Sequence, residues 1–215
     1  MDFDAAREQM VREQIEARGV HDPRVLEAMR TVPRQEFVDP ALRERAYQDS
    51  PLPIESEQTI SQPYIVALMV EALELTGDER VLEIGTGSGY EAAVLARVCG
   101  ALYSVERIPG LAERARAVLE RLGYDNVHLR VGDGAAGWPE AAPFSAIVMS
   151  AAARQIPRPL VEQLADGGRL VLPMGEEDAQ VLVRLRKGPE GLRDDCLGEC
   201  RFVKLIGAYG WDAQG

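Results

Sequence analysis

The chain of 215 residues is poor in several of the things that carry chemistry or fix location. It has 2 histidines, His21 and His128, so no Ser-His-Asp set is at hand to activate a nucleophile. Its 3 cysteines, Cys99, Cys196 and Cys200, make no disulfide framework. Cys196 and Cys200 could share a metal only with those two histidines, neither near them in sequence, so no metal site is expected. No apolar run approaches the roughly 20 residues of a bilayer span, and no membrane partner is expected. The first residues, MDFDAAREQMVREQ, are charged from position 2 and hold no apolar leader segment. Positive charge is in deficit: Lys+Arg 24 against Asp+Glu 35 gives a net charge of -11, which opposes attraction to nucleic acid over the whole surface. Repeats and low-complexity linkers are absent. What is left is a reduced, cytoplasmic globular protein, 46% apolar and 27% charged, expected to act as a monomer in a single domain over residues 1–215.

Within that domain, residues 1–75 read as a helical extension and 76–215 as an α/β core. The first helix is predicted over Asp4 to Ala17, ending at Gly19. The second starts at Pro23 behind an Asp22 cap, carries Val25, Leu26 and Met29 as its apolar stripe, and stops at Pro33. Ser50-Pro-Leu-Pro-Ile-Glu55 reads as an extended loop, because its prolines forbid helix and block ladder bonds. A helix follows Thr59-Ile-Ser-Gln-Pro63 to about Leu75, with Ile65, Leu68, Met69, Ala72 and Leu73 inward. Strands are then predicted at Val81–Ile84, Ala101–Val105, Val127–Val131, Phe144–Met149 and Arg169–Pro173. Helices are predicted between them at Gly89–Val98, Pro109–Leu122 and Pro157–Leu164. Strands without clean alternation suit a parallel sheet covered on both faces. Ala179–Leu185 and Arg201–Ile206 read as an antiparallel pair at one edge.

The chemistry gathers where the first of these strands meets a helix, in Val81-Leu-Glu-Ile-Gly-Thr-Gly-Ser-Gly-Tyr90. Glycine permits a tight turn and close backbone approach to a ligand. Gly85, Thr86, Gly87, Ser88 and Gly89 are spaced GxGxG, unlike the GxGxxG that cradles a dinucleotide pyrophosphate, and no P-loop lysine follows. Glu106 ends the next strand, where a carboxylate can accept both ribose hydroxyls; Asp133, in Gly132-Asp-Gly134, ends the third, where an adenine amino group needs an acceptor. Ser88 is placed for the amino-acid end of the cofactor. Glycine turn, ribose acid and adenine acid describe S-adenosylmethionine better than a nicotinamide cofactor. Glu83, inside an apolar strand, either serves the turn or the cofactor amine or is an acid satisfied by backbone amides. Trp138 reads as core packing.

Several segments together resemble one family. Gln58-Thr-Ile-Ser-Gln-Pro-Tyr-Ile-Val-Ala67, the glycine turn, Tyr103-Ser-Val-Glu-Arg107, Leu122-Gly-Tyr-Asp-Asn-Val127, Gly132-Asp-Gly134 and Gly137-Trp-Pro-Glu-Ala-Ala-Pro-Phe144 are similar to those of protein-L-isoaspartate (D-aspartate) O-methyltransferases, as are Val32-Pro-Arg34, Phe37-Val38, Ala46-Tyr47 and Pro51-Leu-Pro-Ile54. The resemblance runs from about residue 8 to 206. It implies a Rossmann-like methyltransferase sheet with helices on both faces and an N-terminal helical extension. It implies a repair enzyme that methylates the free carboxylate of isoaspartyl, and D-aspartyl, residues in damaged proteins and peptides, leaving S-adenosylhomocysteine. The ester then closes to a succinimide that hydrolyses partly to aspartate. The resemblance puts the active-site serine at Ser61, which the local sequence alone reads as a plain helix cap. It groups Thr59, Ile60, Gln62 and Tyr64 around the same pocket and adds Arg107 and Gly134 to the cofactor residues. Tyr47, Leu52 and Ile54 are expected on the peptide side, with core packing the other reading of Ile54.

The chain differs from the family's usual pattern at Glu55-Ser-Glu57, where a glycine-bearing segment is expected. It also differs at Gln35 for histidine, Glu91 for glutamine, Ser145 for aspartate, Ser150 for threonine and Ile206 near a usual threonine. Other readings are a carboxyl methyltransferase with a different peptide or small-molecule acceptor, a cofactor-binding protein without catalysis, and a nicotinamide oxidoreductase.

Overall fold

The computed structural model describes residues 1–211. Helix α1 (Phe3–Met10), capped by the Asp2 carboxylate, runs into a π-helical turn at Val11–Ile15 and a tighter turn at Glu16–Arg18 that ends on left-handed Gly19. The N-terminal helix expected to Ala17 is therefore three short pieces, buried at Met10, Val11 and Ile15. Helix α2 (Pro23–Thr31) starts as the sequence directs, Asp22 accepting from the amides of Arg24 and Val25.

The proline-rich stretch does make ladder bonds. Strands β1 (Leu52–Pro53) and β2 (Thr59–Ile60) form a short antiparallel ribbon, with Leu52 opposite Ile60. Proline needs only to face outward on such an edge. Helix α3 (Pro63–Ala72) stops short of Leu75, with Glu74 at φ 51. Its buried face is Val66, Ala67, Met69, Val70 and Ala72, and Ile65 and Leu68 are half-buried. Nearly every residue of this helix is apolar, so its pattern holds too little polar contrast to fix the phase.

The core then alternates: β3 (Arg80–Ile84), α4 (Tyr90–Ala96), β4 (Ala101–Glu106), α5 (Pro109–Arg121), β5 (Val127–Val131), β6 (Phe144–Met149), α6 (Arg158–Gln163), β7 (Leu164–Glu176), β8 (Ala179–Gly188) and β9 (Gly191–Cys200). The sheet order is β5-β4-β3-β6-β7-β8-β9, parallel from β5 to β7 and antiparallel from β7 to β9. The edge hairpin corrects the sequence reading. The partner of β8 is Gly191–Cys200, and Arg201–Ile206 leaves the sheet. Gly191–Cys200 is exposed along most of its length, so it carries no apolar alternation to betray it. Pro189-Glu190 makes its turn, and Gly191 takes φ 112.

Successive residues of the central strands serve opposite faces. Val81, Ala146, Val148 and Val171 join a core with α2, α3, α4 and the segment Met10–Ile15. Leu82, Ile147, Met149, Leu170 and Leu172 join a second core with Leu160 of α6. The chain leaves β3 for β4 on one side and returns with β6 on the other. The crevice past the carboxyl ends of β3 and β6 is thus the point where strand order reverses, the usual place for a ligand. Among the described residues no helix is long and apolar enough to cross a membrane, and no group of three or more His, Cys, Asp or Glu could hold a metal.

Candidate active site

A cavity of about 830 Å³, open mouth included, occupies that crevice. Its floor is the glycine turn, with Gly85, Gly87 and Gly89 all at positive φ (93, 53 and 87). This is backbone that other residues rarely adopt. Ser150, just past β6, donates its amide to the Ile84 carbonyl at 2.8 Å, which closes the turn against the neighbouring strand. Gly134 comes in from beyond β5, where a side chain would overlap Ile84. Thr59, Ile60 and Ser61 form one wall; Glu106, Arg107 and Ile108 form another.

Three carboxylates surround this floor in distinct ways. Glu106 is 6% exposed and takes the amides of Gly87 (2.8 Å) and Ile108 (2.9 Å), so it braces the turn from β4. Glu83 is fully buried on β3. It accepts from Ser104 Oγ, which also contacts Thr86 Oγ1 at 2.5 Å; Glu83 Oε1 has no partner among the described residues. No backbone amide among the described residues bonds the Glu83 carboxylate; Ser104 links it to Thr86 of the turn. Glu91, on α4, lines the cavity and accepts from Ser150 Oγ, and its Oε1 likewise has no partner among the described residues. Burial, with the Glu91 charge nearby, pushes the Glu83 carboxyl well above the usual range. Burial pushes Glu91 up to about 7 against the pull of the Ser150 hydroxyl.

Ser61 lines the cavity just before α3. The residue at the helix cap is Gln62, and no side chain caps the helix, so Ser61 Oγ is not consumed as a cap. The Ser61 carbonyl accepts from Arg34 Nη2 at 2.7 Å, while Arg34 Nε donates to the Ala46 carbonyl at 2.7 Å. Arg34 is fully buried over the Tyr90 ring and pairs with no carboxylate among the described residues; burial brings its guanidinium down to about 10. The sequence shows Val32-Pro-Arg34 as a motif but not this brace, because the partners of Arg34 are backbone carbonyls.

Gln62 and Tyr64 do not join the cavity lining. Gln62 donates to Asp49 at 2.7 Å, and Tyr64 lies 3.6 Å beneath the Arg18 guanidinium. Tyr47 and Leu52, expected beside the peptide, are core residues; Ile54 lines a second cleft on the far side of Gly87 and Ser88. Trp138 packs edge-on to Tyr103 at 5.3 Å, as core. Asp133 stands past β5, outside the lining. Its oxygens accept from the amides of Ala135 (2.9 Å) and Ala208 (2.8 Å), and each retains acceptor capacity. Through Ala208 it anchors a segment that sequence reasoning assigned to the sheet. Val203, Lys204, Leu205 and Ile206 roof the cavity, fastened where Ala152 and Leu205 exchange backbone bonds with their neighbours. Glu55, a departure that put negative charge near the site, is paired with Arg114; Ser56 and Glu57 hold positive φ (59 and 58), the geometry a glycine would adopt freely.

Residues 5–210 match the family model described as protein-L-isoaspartate(D-aspartate) O-methyltransferase. A protein-L-isoaspartate O-methyltransferase 1 of Syntrophobacter fumaroxidans is 57% identical over 212 residues, covering 99% of both chains. A protein-L-isoaspartate O-methyltransferase of Geobacter metallireducens is 56% identical over 216 residues, covering 100% of both. Among solved structures, one titled as a putative enzyme of this kind from Plasmodium falciparum, in complex with S-adenosyl-L-homocysteine, superposes with a TM-score of 0.78 at 26% identity. It matches 93% of this chain and 98% of that one.

Proposed function

Since the chain belongs to the protein-L-isoaspartate(D-aspartate) O-methyltransferase family, we propose that it moves a methyl group from S-adenosylmethionine to the free carboxylate of L-isoaspartyl and D-aspartyl residues in damaged proteins. The single observation that carries this reading is the cavity itself. It joins the glycine turn, buried acids and Ser61 at one strand-order reversal.

The residues present fit the cofactor. Glu91, which lines the cavity, has a buried carboxylate oxygen without a partner among the described residues, and Gly85 and Gly87 line it with backbone that a ligand can approach closely. Glu106 and Arg107 would hold the ribose side; Asp133 and Gly134 the adenine side; Ser88 and the turn amides the amino-acid end. When bound, S-adenosylmethionine supplies an electrophilic methyl group on a cationic sulfur. The acceptor carboxylate is ionised at neutral pH, since an unperturbed side-chain carboxyl titrates near about 4, so the chain need provide no base. What the chain supplies is alignment and dryness. Ser61 offers its hydroxyl to orient the incoming carboxylate, at the positive end of the ten-residue α3. Arg34 holds the Ser61 backbone in place. Ile60, Ile84, Val105, Ala151 and Leu205 exclude water. The same reading has the protein work as a monomer in a reducing cytoplasm.

The test is transfer of labelled methyl from S-adenosylmethionine to one peptide made with isoaspartate or with aspartate at a single position. Transfer to the isoaspartyl form alone is expected. Binding of cofactor with no transfer to either form would move the reading to another acceptor.

A further inference from the structure

We propose that Glu91 is a specificity-determining residue, through which the cavity prefers the cationic cofactor S-adenosylmethionine over its uncharged-sulfur product. The proposal rests on the methyl-transfer reading above. Substrate and product differ by one methyl group and one positive charge, so a buried carboxylate tells them apart, and one free to change its protonation makes the difference depend on pH.

The charged side chains lining the cavity are Glu91 from α4, Glu106 from β4, Arg107 beyond it and Lys204 from the roof; Glu83 of β3 stands behind the lining. Glu106 has both oxygens engaged by backbone amides. Lys204 faces Glu177 at 2.9 Å. Glu91 is different: one oxygen takes the Ser150 hydroxyl and the other has no partner among the described residues, in a residue only 7% exposed. Charges act on each other more strongly in such a place than in water. Glu83 and Glu91 lie in each other's field, so the empty pocket favours a proton on the pair. A cation entering the pocket favours release of that proton from Glu91, and the neutral sulfur left after transfer favours its return. The preference for cofactor over product therefore grows as pH rises through the range where Glu91 ionises.

Calorimetric titration of S-adenosylmethionine and of S-adenosylhomocysteine tests this, against the native protein and Glu91→Gln, from about pH 5.5 to about pH 7.5. In the native protein the ratio of product Kd to cofactor Kd should climb by about sixfold over this window, toward the limit of about tenfold that a shift of one unit in the Glu91 pKa between the two complexes sets. In Glu91→Gln the ratio should stay level. The native protein alone gives a second reading: near neutral pH, cofactor binding should release more protons than product binding, seen by repeating the titration in buffers of different ionisation heat. The same climb in both proteins, or equal proton release by both ligands, overturns the proposal and leaves the methyl-transfer reading standing. Failure of the native protein to bind either ligand overturns both.

Discussion

Ser61 and Arg34 divide the labour at the acceptor wall: one presents a hydroxyl, the other fixes the backbone that carries it. Ser61→Ala should lower turnover on an isoaspartyl peptide by about 10–100-fold, the worth of a hydrogen bond to a charged group. Cofactor affinity by calorimetry should hardly move. Because Ser61 is not the cap of α3, its loss should leave the melting temperature within about 2 °C of the native value. Arg34→Met should behave in the opposite way. It strands the Ala46 carbonyl in a buried place and the Ser61 carbonyl in a partly buried one, so urea denaturation should show a loss of about 2–4 kcal/mol. The two residues also differ in legibility. The Ser61 role came from a resemblance, since locally a serine before a helix looks like any cap. Arg34 was unreadable in its role because its partners are backbone carbonyls, which leave no trace in sequence.

At the scale of elements, the alternating strands and helices from β3 to β7 were readable, since doubly covered strands are short apolar runs between helical patterns. The places that resisted reading share a physical cause: their structure is set by partners rather than by their own pattern. β9 is polar because one long side of it meets water. Residues 203–206 are apolar enough to pass for a strand, yet they cover a cavity. β9 is secured by charge instead. Glu74 receives Arg169 (3.2 Å), Arg184 (3.0 Å) and Arg186 (2.5 Å), and Asp195 receives Arg184 and Arg186. Partial burial works to raise the Glu74 carboxyl, and the arginines outweigh it and hold it low. Glu74 is 39% exposed, so solvent screens the network. Glu74→Gln should cost about 1 kcal/mol in dilute buffer, and thermal melts in about 1 M salt should show most of that difference gone.

For the molecule as a whole, the acidic cavity makes stability depend on pH in an unusual direction. Glu91 has a folded value of about 7, above the ordinary carboxyl range, so in the empty protein the folded state holds the proton more tightly than the unfolded chain. Its contribution is intact below about pH 4.5 and is lost as pH rises through about 7, the reverse of a salt-bridged acid. Glu91→Gln should therefore raise the melting temperature of the ligand-free protein by a few degrees at about pH 8 and by little at about pH 4.5. Scans at both values check this. Excess cofactor should narrow the gap, because binding supplies the positive charge that the empty cavity lacks.

The roof made by Val203, Lys204, Leu205 and Ile206, tied down through Ala208 to Asp133, sets an order of assembly. As the chain is synthesised, the turn at Gly85–Gly89 and the wall at Thr59–Ser61 emerge long before the segment that covers them. A nascent chain thus displays an open, half-built pocket until residues 203–208 are free to fold back over it. Competence to enclose the cofactor is acquired only at that moment, and a chain cut anywhere between β9 and Val203 would lack the roof and leave the glycine turn open to water.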